Sequence, residues 1–140
     1  MKTIEQKPTY SLDREQEKKL IVREYRSLLR SLKDKIKPGD KGLLRSAFEM
    51  AADAHSTMRR KSGEPYILHP IAVAKICTDE IGLGVRSAIA ALLHDTVEDT
   101  DVTLQDIEKE FGPEIAKIVD GLTKISNVID ANASKQAENL

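Results

Sequence analysis

The chain has a single cysteine in 140 residues, Cys77, so no internal disulfide framework can staple it, and that fits a reducing cytoplasm. Cys77 closes the apolar run that starts at Ile71 and is expected in the core, where free cysteine usually sits. Long hydrophobic runs are missing. Nothing approaches the roughly 18–20 apolar residues that span a bilayer, and the stretch from Met1 to Pro8 lacks the apolar segment of a secretory leader. A dominant charge is missing as well: 22 Lys and Arg face 23 Asp and Glu, for a formal net charge of −1. No global basic field therefore points to DNA or other nucleic acid. Period-two alternation is also absent over any useful length, which argues against sheets. What is present is ordinary for a soluble, cytoplasmic protein, 40% hydrophobic and 32% charged, with enough chain for one real core.

Helical periodicity organises most of the sequence. After a lead-in over residues 1–11, an amphipathic helix is expected from Ser11 or Asp13 to about Ile36. Leu20, Ile21, Tyr25, Leu28, Leu29 and Leu32 form its apolar stripe, and Glu15, Glu17, Lys18, Arg23 and Glu24 take the other faces. Lys37-Pro-Gly-Asp40 breaks it. A second helix is expected from about Lys41 to Arg60, with Leu44, Ala47, Phe48, Ala51, Ala52 and His55 facing inward. A polar loop, Lys61 to Pro65, leads to a third helix with Pro70 in its first turn, ending near Ile81. Val85 to His94 is apolar nearly all round and reads as a buried helix. Thr103 caps a short helix with Asp106 at its third position. A last helix runs from Pro113 to about Ile129, with Ile115, Ile118, Val119, Leu122 and Ile125 buried and Gly121 marking close packing or a bend. From Asn132 onward the residues read as the opening of another helix. The class is all-α, divided into a lead-in and amphipathic helix over 1–38 and a helical domain over 39–140.

Chemistry concentrates after the buried helix, in His94-Asp-Thr-Val-Glu-Asp99. His94 and Asp95 supply a nitrogen and an oxygen donor suited to Mn²⁺, Fe²⁺ or Zn²⁺. If the run is helical, Glu98 lies four residues after His94 and Asp99 four after Asp95, so both pairs share one face. Ligands in one turn and acid–base groups in the next suit metal-assisted hydrolysis. A solvated acidic turn is the plainer alternative for Glu98, Asp99 and Asp101. His69, before a proline, reads as a loop-fixing hydrogen-bonding residue. Arg59-Arg-Lys61 beside Ser62-Gly63 is either a solvated helix end or a grip for phosphate. One acidic metal site near one basic loop suggests a phosphorylated substrate.

At these residues a resemblance becomes specific. Ala52-Asp-Ala-His55, Arg60-Lys-Ser-Gly-Glu-Pro-Tyr-Ile-Leu-His-Pro70, Ala91-Leu-Leu-His-Asp-Thr-Val-Glu-Asp-Thr100, Glu110-Phe-Gly112 and Val119-Asp-Gly-Leu-Thr-Lys124 resemble the N-terminal hydrolase half of RelA/SpoT-type enzymes. Those enzymes make and degrade the stringent-response alarmone (p)ppGpp and belong to the HD-domain phosphohydrolases. The resemblance implies an HD-type helical bundle, a Mn²⁺ site at His55, His94 and Asp95, and Glu98 and Asp99 activating the attacking water. It also implies nucleotide and phosphate contacts from Arg45, Lys61 and Ser62. The implied reaction is hydrolysis of the 3′-diphosphate to GDP or GTP and pyrophosphate, within a bifunctional synthetase/hydrolase (GTP pyrophosphokinase family). The aspartate that completes the family's metal site is not found after Thr123-Lys124, so the chain reads as a fragment, truncated before its C-terminal helices and weak or inactive alone. Synthetase and regulatory domains, with any ribosome contact, would belong to the parent protein. The rival readings are a stand-alone small nucleotide phosphohydrolase, a non-catalytic nucleotide-sensing module, and a purely structural helical domain.

Overall fold

Apolar side chains at helical spacing produce helices alone. The computed structural model describes residues 10–138, with side-chain surroundings as far as Ile125. It contains α1 (Arg14–Ser31), α2 (Asp40–Ala54), α3 (Leu68–Asp79), α4 (Val85–Asp99), α5 (Leu104–Phe111) and α6 (Pro113–Glu138). Among the described residues there is no strand, only an isolated antiparallel bridge between Arg59 and Pro65. None of the described helices is long and apolar enough to cross a membrane. The expected lead-in lies, up to Thr9, outside the described residues.

The helix that is apolar all round is the buried one. α4 packs against α2, α3 and α6, and every residue from Ala88 to Leu93 is at most 2% exposed. It does not stop at His94 but runs on to Asp99, which puts Glu98 and Asp99 on helix rather than in a turn. α1 packs against α3 and adds Tyr25 and Leu28 to the same core, as Leu32 does just past its end; the Tyr25 ring stacks on Phe48 of α2 at 4.3 Å. A capping box starts it: the Asp13 carboxylate accepts from the Gln16 backbone N–H, and the Gln16 side chain accepts from that of Asp13. The same device, from Thr103 and Asp106, starts α5 as the spacing predicts.

Several expectations are corrected. α1 ends at Ser31, and Leu32 to Lys35 form a turn instead of a further helical stretch to Ile36. Glu17, expected on a solvated face, is 6% exposed. α2 ends at Ala54 instead of Arg60, because the chain reverses: Met58 N–H donates to His55 O, Tyr66 N–H to Met58 O and Arg60 N–H to Glu64 O. α6 passes the expected end at Ile129 and absorbs the segment from Asn132; Asn139 and Leu140 lie outside the described residues. Its 26 residues outrun the 8 of α5 and the 15 of α4 on which it packs, so Leu122 and Ile125 are 37% and 59% exposed instead of buried. Gly121 does not mark close packing: a Cβ there would meet nothing within 4 Å, and the helix continues through it.

Candidate functional site

The solvent end of α4 carries the site. His94 is part-buried, with its Nδ1 2.9 Å from Ala91 O, which places a ring proton there and leaves Nε2 with a lone pair when the ring is neutral and with a proton for Asp95 when it is charged. That Nε2 stands 3.1 Å from Oδ1 of Asp95. On the other side of the same carboxylate, His69 Nε2 lies 3.8 Å from Oδ2. His69 reaches it because Leu68–Asp79 is helical from just before Pro70, so His69 sits in the first turn of α3 and α3 packs on α4.

Asp95 is thus flanked by two imidazoles, and its charge prevails at only one of them. Burial pushes the Asp95 carboxyl up, but the His94 contact, the nearby histidines and the Tyr66 hydroxyl outweigh it and hold the group below the usual carboxylate range. The hydrogen bond to Asp95 holds His94 above the usual imidazole value against burial, with the Glu98 charge adding to the effect. Burial, followed by the nearby Arg60 charge, pulls His69 down.

Tyr66 joins the two turns of the motif. Its hydroxyl is 3.3 Å from Oδ2 of Asp95 and 3.3 Å from Oδ2 of Asp99. Burial first and the two carboxylates next push its pKa up to about 12, so it acts as a donor. The ring is held on its faces and edge: His55 stacks on it at 4.7 Å, His69 meets it edge-on at 5.8 Å, and the Arg60 guanidinium lies 5.8 Å from its centroid. Through Arg60 the acidic cluster meets the basic loop. Lys61 and Ser62 are exposed at the tip of that loop, and Ser62 Oγ donates to Glu64 Oε1 at 2.5 Å.

Of the residues expected from the sequence, the structure brings His94, Asp95 and Asp99 together, with Glu98 near enough for its charge to act on His94. His55 is 2% exposed: its Nδ1 lies 2.9 Å from Ala51 O, its ring stacks on Tyr66, and its Nε2 is buried with no hydrogen-bond partner among the described residues. Arg45 is exposed, pairs with Glu49 at 2.9 Å one turn on, and lies near enough to Tyr25 for its charge to act there. Two residues of the cluster, His69 and Tyr66, had no functional role in the sequence reading, and Arg60 had one only as part of a basic run read as either a helix end or a phosphate grip. All three lie inside the quoted Arg60–Pro70 segment, which was the available signal.

The donors fit a divalent cation chemically. A neutral His94 directs a lone pair at a carboxylate oxygen, an arrangement relieved by a proton or by a cation bound to both. Two imidazole nitrogens and one carboxylate are a borderline-to-hard donor set of the kind that holds Mn²⁺, Fe²⁺ or Zn²⁺. As they stand, no three His, Cys, Asp or Glu side chains among the described residues are grouped to hold an ion.

Comparison with known proteins bears on these same segments. The family described as "HD domain" matches residues 47–140. A guanosine-3′,5′-bis(diphosphate) 3′-pyrophosphohydrolase of Aquifex aeolicus is 47% identical over 96 residues, 69% of this chain and 13% of that protein. A probable GTP pyrophosphokinase of Mycobacterium leprae is 46% identical over 93 residues, 66% of this chain and 12% of its own length. The GTP pyrophosphokinase rsh of Brucella ovis is 45% identical over 102 residues, covering 72% and 14%. The chain therefore spans 12–14% of the length of these curated relatives. Matched over a range that holds the whole His69–Asp99 cluster, the chain belongs to the HD-domain family, and its relatives there carry the names of alarmone hydrolases and GTP pyrophosphokinases.

Proposed function

We propose that the chain carries a hydrolytic site for (p)ppGpp, cleaving the 3′-diphosphate to give GDP or GTP and pyrophosphate. The observation that carries this reading is one juxtaposition: the His69–His94–Asp95 cluster meets the Arg60–Lys61–Ser62 loop across the Tyr66 ring. An acidic, imidazole-rich wall beside a basic tip suits a polyphosphate handled together with a cation. The names of the relatives supply the substrate.

In this reading His55, whose Nε2 is buried without a partner among the described residues, holds the cation with His94 and Asp95, Mn²⁺ by preference, and His69 stands beside the same carboxylate. When bound, the cation lowers the pKa of water and offsets charge on the phosphoryl oxygens. Glu98 and Asp99 orient the attacking water and accept its proton as its oxygen bonds to phosphorus. The P–O bond to the ribose 3′-oxygen breaks, and that oxygen leaves with a proton. Tyr66 fixes Asp95 and Asp99 relative to each other. Arg60, Lys61 and Ser62 receive the phosphates through charge-assisted hydrogen bonds. A cytoplasmic setting, and synthetase and regulatory domains in the same protein, go with the substrate.

The test is pyrophosphate release from ppGpp with and without Mn²⁺, in this chain and in the longest gene product carrying it. Mn²⁺-dependent release that is lost in His94→Ala supports the reading. Release unchanged by His94→Ala would overturn it.

A further inference from the structure

The basic loop is tied to a helix that contributes nothing to the cluster on α4. Glu17, in the first turn of α1, has a side chain only 8% exposed. It takes both prongs of the Arg59 guanidinium: Nη1 donates to Oε2 at 2.6 Å and Nη2 to Oε1 at 3.0 Å. Arg59 Nη1 also donates to Gly63 O at 2.9 Å, so a single side chain joins α1 to both legs of the loop. The reversal between those legs is closed by Arg60 N–H to Glu64 O and Gly63 N–H to Arg60 O.

A second contact lies beside the first. Gly63 has φ +106°, and a Cβ there would stand 2.8 Å from Cβ of Tyr10, so the chain ahead of α1 packs directly on the turn. A substitution at Gly63 would meet both an unfavourable backbone conformation and this contact. Sequence distance hides the pairing, since Glu17 and Arg59 are 42 residues apart. A carboxylate this buried is costly unless paired, and breaking the pair by removing one partner leaves the other charge stranded. A surface pair held by chance would show neither the burial nor the two-pronged geometry.

We propose that Glu17 is a positioning residue for substrate. By clamping Arg59 against Gly63 it holds Arg60, Lys61 and Ser62 in the conformation that receives phosphate. The cost of ordering the loop is met on folding and not on binding, which raises affinity without adding a contact to the ligand. This rests on the reading of the loop as the phosphate-binding wall. It extends the site to α1, a helix that lies outside the matched range 47–140.

The test has two arms, each run on the wild-type chain, Glu17→Gln and Arg59→Lys. The first is amide hydrogen exchange, which needs no ligand. Exchange over residues 60–63 is expected to accelerate about tenfold in Glu17→Gln, with protection of α4 retained. Arg59→Lys, which keeps charge on a half-exposed side chain but loses the planar fork, is expected to fall between. The second arm is calorimetric titration of ppGpp with Mn²⁺ present, where affinity is expected to weaken about tenfold and recover partly in Arg59→Lys. Unchanged exchange at 60–63 in both variants overturns the clamp. Faster exchange with unchanged ppGpp affinity overturns its role in positioning. A wild-type chain that binds no ppGpp sinks the underlying reading of the site instead, and the exchange arm still decides whether the clamp exists.

Discussion

The two walls of the candidate site are built by different means. His94, Asp95, Glu98 and Asp99 ride on α4, whose preceding residues Ala88 to Leu93 are buried against three other helices. Close packing therefore places them, and no single polar contact does. Arg60, Lys61 and Ser62 stand on a short reversal held by one bridge, two backbone hydrogen bonds and the Glu17–Arg59 pair. Groups that must meet a reacting atom within fractions of an ångström gain from the rigid support. Groups that gather a charged, flexible polyphosphate can sit on a loop, provided something limits its excursions.

If packing is what places the acidic wall, damage to the core should cost most. Leu92→Ala removes a fully buried side chain and is expected to lower stability by about 2–5 kcal/mol, read from denaturant or thermal unfolding. The next effect separates chemistry from scaffold. Glu98→Gln and Asp99→Asn alter exposed side chains, so unfolding should barely change, while pyrophosphate release falls by about 10²–10⁴-fold. Equal loss of stability and rate in these variants would mean that the acids hold the fold rather than do chemistry.

Much of the acidic wall was legible because its cause is local. The apolar girdle from Val85 to Leu93 predicts burial, and helical spacing predicts that His94 and Glu98, and Asp95 and Asp99, share a face. The Thr103 and Asp106 box is read the same way, from hydrogen bonds that span three residues. The basic wall was only partly legible because its supports are not local. Nothing near Glu17 announces a guanidinium 42 residues on, so a charge on a helix reads as solvated until the fold brings Arg59 to it. The histidines show the same limit. His55 and His69 both border apolar helices, and only the packing of α3 on α4 decides which one meets Asp95. Where α6 stops being buried likewise depends on the lengths of its neighbours and not on its own stripe.

Acid should distinguish the walls through Glu17. The hydrogen bonds from Arg59 hold its carboxyl below the usual carboxylate range, against the opposing effect of burial. A lowered value means the pair stabilises the fold fully above the ordinary carboxylate range and loses that contribution as pH falls through the lowered value. Acidification is therefore expected to lower the protection factors over 60–63, taken against intrinsic exchange at each pH, before those of α4. Simultaneous loss of protection in both regions would show that the loop has no separate support.

The smallest expected effects concern two arginines, and they decide how far the basic wall extends. Arg60 lies 5.8 Å from the Tyr66 ring centroid, inside the junction of the walls, whereas Arg45 is spent on Glu49 one turn along α2. Arg60→Ala removes a cation from the phosphate side, and ppGpp binding should weaken about tenfold with fold stability kept, as measured by calorimetric titration. Arg45→Ala breaks only an exposed helical pair, for about 0.3–0.5 kcal/mol, and should leave ppGpp affinity within about twofold. The sequence expectation put Arg45 on the nucleotide, so comparable losses in both variants would restore it and require α2 to move toward the loop when substrate binds. A loss confined to Arg60 keeps the basic wall on the reversal that the clamp from α1 holds.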